Sequence, residues 1–202
     1  MATVSLNRPV RTDEARMDMR EAIMAAARTT VQRDGYNALS FRDLASEVGI
    51  KSASVHYHFP TKPDLAEALA NRYCEDMTTF LEEVSQNAKT TEAALETYVA
   101  LFRSGLDGTN RMCVIGMMSA EVNALPPSVT VQLERFAQIN TDWLQNVLAI
   151  KNPRMAKDKL EARALAIYAS IEGAQLIARG RGGDPLLFDE IVAAYKVSGL
   201  LG

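Results

Sequence analysis

Apolar residues recur three and four positions apart in long segments, and nowhere do Val, Ile and Thr alternate with polar residues over the length of a strand. From Thr12 to Asp34, the residues Met19, Ile23, Ala27 and Val31 fall four apart, and Gly35 offers a left-handed stop. Ser40 with Asp43 three residues on is a capping-box pattern, and Phe41, Leu44, Ala45 and Val48 form one buried stripe behind it. Gly49 ends that short helix, a third runs from Ser52 to Phe59, and Pro60 stops it. Thr61, Pro63 and Asp64 open a long fourth helix with the stripe Leu65, Leu69, Tyr73, Met77, Phe80 and Val84. Further helices are predicted over Thr91–Leu106, 111–123, Ser128–Ile150 and Lys157–Arg179, with a last one starting after the Asp184-Pro185 cap and ending near Ser198. The pattern therefore predicts an all-α chain of about nine helices, without internal repeats.

The stretch Ser40 to Lys62, SFRDLASEVGIKSASVHYHFPTK, carries the most information. Two short helices joined through Gly49 have the layout of a helix-turn-helix. The second opens with Lys51, Ser52, Ala53 and Ser54, small or polar residues that leave room for base edges in a major groove. His56 and Tyr57 follow with polar tips that can reach phosphate oxygens. Ser40 and Thr61 begin helices whose free N–H groups favour anions, and Arg42 and Lys62 lie beside them. By spacing alone, a helix-Gly-helix unit is more often plain packing. His56 and His58 point to nearly opposite sides of a helix and cannot chelate one ion there, so no metal and no cofactor are expected.

The string LASEVGIKSASVHYHFPTKPDL, with a long helix before it and an acidic helical remainder after it, resembles the TetR family of one-component bacterial transcriptional repressors. The resemblance is strong over Met17 to Leu69 and weaker beyond. Gly49 matches the family's turn glycine, Tyr57-His58-Phe59 its Tyr-x-Phe element and Thr61-Lys62 its small-residue-then-Lys step. It implies an N-terminal three-helix DNA-binding head, with phosphate contacts from Ser40, Tyr57 and Lys62 and base contacts from the start of the third helix. His56, where Tyr is commoner, and Lys51, where Ser or Thr is frequent, depart from the pattern and bear on which operator is read. The division expected is a flexible arm over 1–11, a DNA-binding domain over 12–62 and a ligand-binding and dimerisation domain over 63–202. Within the arm, Arg8-Pro9-Val10-Arg11 is either a solvated tail or a minor-groove arm.

The same resemblance implies a homodimer whose two heads are spaced for successive turns of a palindromic double-stranded operator, roughly 34–36 Å or a multiple. Ala162, Ala166, Ala169, Ser170, Gly173 and Ala174 are small enough for close helix approach, and with Phe188, Ile191 and Tyr195 they are the interface candidates; packing within the chain's own core is the competing reading. For an unidentified small-molecule effector, Tyr98, Phe102, Met117, Trp143 and Tyr168 are candidate pocket residues beside Met112 and Met118, with Glu121 as the orienting polar group. The stretch RMCVIGMMSAE is similar to one in which some relatives sense electrophiles or oxidants, making Cys113 a candidate sensor with Arg111 placed to lower its pKa. Buried, inert cysteine is the ordinary alternative.

Composition changes this picture little. Of 202 residues, 48% are hydrophobic and 23% charged, as in ordinary globular domains. The net charge of -3 divides into +1 over residues 1–65 and -4 over the rest, so DNA binding rests on a local face and not on bulk charge. No spanning segment or secretory signal is present and two cysteines make no disulfide framework, which places the expected protein in the cytoplasm, away from membranes. An enzyme is not expected, since both histidines sit in the head and no acid–base or nucleophile set clusters. A helical ligand-binding or adaptor protein without specific DNA binding is the remaining alternative.

Overall fold

The computed structural model describes residues 10–201, with side chains described from residue 15 onward. Among the described residues there are nine α-helices, one short 3-10 turn and no strand. They are α1 (Val10–Asp34), α2 (Phe41–Val48), α3 (Ser52–His58), α4 (Lys62–Asn87), α5 (Thr91–Ser104), α6 (Val114–Ala120), α7 (Pro127–Lys151), α8 (Lys157–Gly180) and α9 (Pro185–Val197). The expected arm over 1–11 lies outside the described residues up to position 9, and Val10 and Arg11 already belong to α1.

Helices α1 to α3 form the head. Ile23, Ala27 and Val31 of α1 are fully buried, against Leu44 and Ala45 of α2 and Val55 of α3. Ser40 caps α2 by accepting the Asp43 N–H, but the return arm of the box is replaced by an Asp43–Arg42 ion pair. Gly49 ends α2 at φ 77°, a backbone state that costs a side-chain-bearing residue about 1 kcal/mol or more. Thr61 and Asp64 complete the full reciprocal box, which fixes where α4 leaves the head.

In the larger unit α7 packs between α4 and α8, and α8 carries α9 on its flank. The apolar stripe expected along α4 points inward, with Leu65, Leu69, Met77 and Val84 buried and Tyr73 and Phe80 half-buried; Leu95, Tyr98, Val99 and Phe102 of α5 and Phe136, Trp143 and Val147 of α7 are buried as well. The helix expected over 111–123 is shorter. Residues 111–113 are not helical after Asn110, at φ 46°, and α6 spans Val114–Ala120 before the 3-10 turn Val122–Ala124. The Arg111 N–H donates to the Gly105 carbonyl and the Met112 N–H to Gln32 of α1, and these tertiary bonds hold the segment. Along α8, Ile177 is 55% exposed.

Candidate nucleic-acid interface and effector site

On α3, Lys51, Ala53, His56 and Tyr57 are exposed and Ser52 and Ser54 half-buried, while Val55 and the following Phe59 anchor the helix in the head. One side therefore packs and the other is free to enter a groove. Tyr57 stands 70% exposed with its ring edge against His58. A cleft between α1 and α3 is lined by Arg16, Met19, Lys51, Ala53, Ser54 and Tyr57, which brings the Arg16 guanidinium to the same face. Sequence reading missed Arg16, because only the packing of α1 across α3 joins them. Burial with Arg16 and Arg20 nearby pushes the His58 imidazole below its ordinary pKa, so His58 stays neutral.

Two residues expected to touch phosphate also make contacts within the head. The His56 ring lies edge-on to Phe41, with Nδ1 3.3 Å from the Pro60 carbonyl. A carbonyl can only accept, so Nδ1 is the donor in this contact. Lys62 Nζ donates to the Asn37 carbonyl at 3.1 Å and sits 4.4 Å from the centre of the Tyr36 ring. Its role in the free protein is to hold the α1–α2 turn. Ser40 is half-buried with its hydroxyl oxygen accepting the Asp43 N–H, and Arg42 is solvent-facing beside Asp43.

The same turn is gripped from the other side. Glu121, just after α6, accepts the backbone N–H groups of Tyr36 and Asn37 and the Asn37 side-chain amide. Gly35, at φ 90°, makes room for it: a Cβ there would stand 2.9 Å from either carboxylate oxygen. Arg179, near the end of α8, donates to the carbonyls of Gln32, Arg33 and Asn110. The unsatisfied carbonyl end of α1 is thus capped by a guanidinium from a distant helix. Glu121, expected from the sequence to line a pocket, is instead occupied by three donors of this turn at the junction between head and remainder.

The other effector candidates do converge. Tyr98 stacks on Trp143 and meets Phe102 edge-on, each at 5.2 Å between ring centres, and donates to Asn140 at 2.9 Å. Phe136 lies between Tyr73 and Tyr168. Cys113 and Tyr168 face Glu172 of α8, a buried carboxylate that pattern reading overlooked because a Glu on a helix is ordinarily solvated. Burial raises the Glu172 carboxyl, the thiol and hydroxyl pull it part of the way back, and it stands at about 7. Met117 is half-buried against the same core.

Cys113 is 4% exposed, and burial followed by the neighbouring Glu172 pushes its thiol well above the ordinary value. Arg111 does not act on it, so the expected activation is replaced by its opposite. Cys74, the second cysteine, is also buried and raised to about 11 by burial. Among the described residues, no group of three or more His, Cys, Asp or Glu is placed to hold a metal, and no helix is long and apolar enough to cross a membrane.

Of the interface candidates, Ala166 is exposed, and Ser170, Gly173, Ile191 and Tyr195 are half-buried. Ala174 and Phe188 are 1% and 0% exposed, so they pack the chain's own core and a second chain cannot reach them, which corrects the sequence reading. Leu165, Leu176 and Ile177 of α8, and Leu186 and Val197 of α9, are the large apolar residues left exposed on these two helices.

A three-helix head whose third helix leaves one side exposed, set on a helical body by a charged clasp, has the layout of a helix-turn-helix protein. The model of the bacterial regulatory proteins of the tetR family matches residues 23–69. A crystallised TetR transcriptional regulator from Legionella pneumophila is 30% identical, with a TM-score of 0.81 and coverage of 89% of this chain and 96% of that one. The chain belongs to the TetR family. It is also similar to an HTH-type transcriptional regulator of Mycobacterium tuberculosis, at 32% identity over 76 residues or 38% of this chain. The HTH-type transcriptional repressor KstR2 of Rhodococcus jostii is 24% identical over 127 residues, 61% of this chain. The chain spans 35% and 59% of the length of these two curated relatives.

Proposed function

We propose that the protein is a ligand-responsive repressor that binds a palindromic operator as a homodimer. The observation that carries this is α3 itself: Lys51, Ala53 and Tyr57 face solvent from a helix anchored by Val55, within a family of transcriptional regulators. The similarity to a named repressor supports repression as the mode. Residues 12–62 serve as the head, and 63–202 as the unit that dimerises and takes the effector.

The apolar face of α8 and α9, with Leu165, Leu176, Ile177, Leu186 and Val197 exposed, supports dimerisation there; a monomer rarely leaves so many large apolar side chains on one pair of helices. An effector acts by favouring one of two arrangements of the heads, and it can do so only through differential affinity for them. The contacts available to carry that difference are Lys62 from α4, Glu121 from behind α6 and Arg179 from α8, which all meet the end of α1 and the turn after it.

The test is salt-dependent binding of the purified protein to DNA upstream of its own gene against scrambled DNA. Specific dimer binding tighter by about a thousand-fold or more supports the reading. Equal, weak binding to both fragments favours a ligand-binding or adaptor protein.

A further inference from the structure

Glu172 stands on the inner side of α8, where α4, α5 and the entry to α6 meet. Both of its carboxylate oxygens are buried without a hydrogen bond of ordinary length and angle, and the only donors that act on it are the weak Cys113 thiol and the Tyr168 hydroxyl, neither of them charged. The two neighbouring buried amides are satisfied: Asn140 accepts from Tyr98 and donates to the Phe136 carbonyl, and Gln175 joins the Cys113 N–H to the Phe102 carbonyl. The unmet demand is therefore local to the carboxylate. A buried acceptor left without donors costs on the order of 1–3 kcal/mol, and more when charged.

The surroundings narrow what can meet that demand. Tyr73, Tyr98 and Tyr168 lie close enough for Glu172 to act on their hydroxyls, so the carboxylate sits among aromatic rings. No guanidinium or ammonium acts on Glu172 from α4, α5, α6, α7 or α8. Gly116 closes the α6 side, where a Cβ would come 2.8 Å from one carboxylate oxygen and 3.0 Å from the methyl of Met112. A donor with positive charge would satisfy the oxygens and lie against the ring faces at once. An anion would be repelled, and a neutral hydrocarbon would leave the oxygens bare.

We propose that Glu172 is the anchor of the effector site and that the effector is an organic amine, its ammonium paired with Glu172 and its apolar body among the aromatic rings. Met112, unbranched and with its methyl beside Gly116 as one carboxylate oxygen is, is the side chain that yields to admit it. The proposal deepens the ligand-responsive reading and rests on it.

Trp143 is the sole tryptophan and stacks on Tyr98, so its fluorescence reports on the cluster. The full-length protein without DNA is titrated with phenethylamine and 2-naphthylethylamine, and with the alcohol and carboxylate of matching size for each. The amines are expected to bind at least about ten-fold more tightly than the carboxylates, as a single buried ion pair would give. Glu172→Gln is expected to remove that preference while leaving alcohol affinity within about three-fold. An absent amine preference in the wild-type protein, or its survival in E172Q, overturns the proposal. The assay contains no DNA, so loss of operator specificity would overturn the repressor reading alone, and loss of amine binding with operator binding intact would overturn this one alone.

Discussion

Glu121 accepts the backbone N–H of Tyr36, a bond between residues 85 positions apart that ties the head to the body. Three donors converge on this one carboxylate, and Lys62 holds the carbonyl side of the same turn. Glu121→Ala is expected to cost about 1–3 kcal/mol in urea unfolding, the usual loss for charge-assisted bonds left unmade. In the operator assay the variant is expected to bind DNA with a weakened response to effector. Unchanged stability and response would show that the clasp is incidental.

Lys51→Ala is expected to weaken binding to specific and scrambled DNA alike and to reduce the salt slope by about one, with folding unaffected because the side chain is exposed. Filter binding across a salt series checks this. Tyr57→Phe removes one exposed hydroxyl and is expected to act in the same direction, more weakly. Loss confined to the specific fragment would instead assign Lys51 to base reading.

Glu172 makes stability depend on pH. Its folded value of about 7 lies above the ordinary 4.5, so the contribution is fully present below about pH 4.5 and is lost as pH rises through 7. At about 1.4 kcal/mol per pH unit, the loss approaches roughly 3 kcal/mol. Urea unfolding of the wild type and E172Q at pH 5 and pH 8 isolates it, with the variant gaining relative stability at pH 8. Parallel pH profiles would contradict the buried carboxylate.

Cys113 is expected to resist alkylation in the native protein at pH 8, because burial and Glu172 both disfavour the thiolate. Iodoacetamide labelling followed by mass measurement should proceed only as fast as the chain opens. Electrophile treatment should release operator equally from the wild type and Cys113→Ser. Rapid native labelling of Cys113 would restore the sensor reading.

Ile177→Glu and Leu176→Glu are expected to yield folded monomers with lost operator affinity, since both side chains are more than half exposed in the single chain. Light scattering at micromolar concentration and the DNA assay check this. A dimer that survives both changes would place the interface elsewhere.

Much of the molecule was legible in the chain. The boundaries of α2, α3, α4 and α9 follow from Ser40, Gly49, Pro60, Thr61 and Asp184-Pro185, because capping and backbone restriction act within a few residues. The inward stripes followed from periodicity, and the α3 face from small and polar residues in its first turn. These are local properties, readable wherever spacing alone determines which residues share a face.

What only the tertiary structure decided lies where distant elements compete for one side chain. Glu121 looked like a pocket residue until the turn after α1 supplied three donors, and Lys62 looked free until Asn37 and Tyr36 occupied its ammonium. Phe188 and Ala174 turned to their own core, while Leu165, Leu176 and Ile177 stayed exposed on α8. Glu172 was invisible along the chain because its burial comes from the convergence of several helices. Sequence determines which faces are apolar and where helices start and stop. Which polar group ends up buried, satisfied or bare is settled only when the helices pack and exclude water.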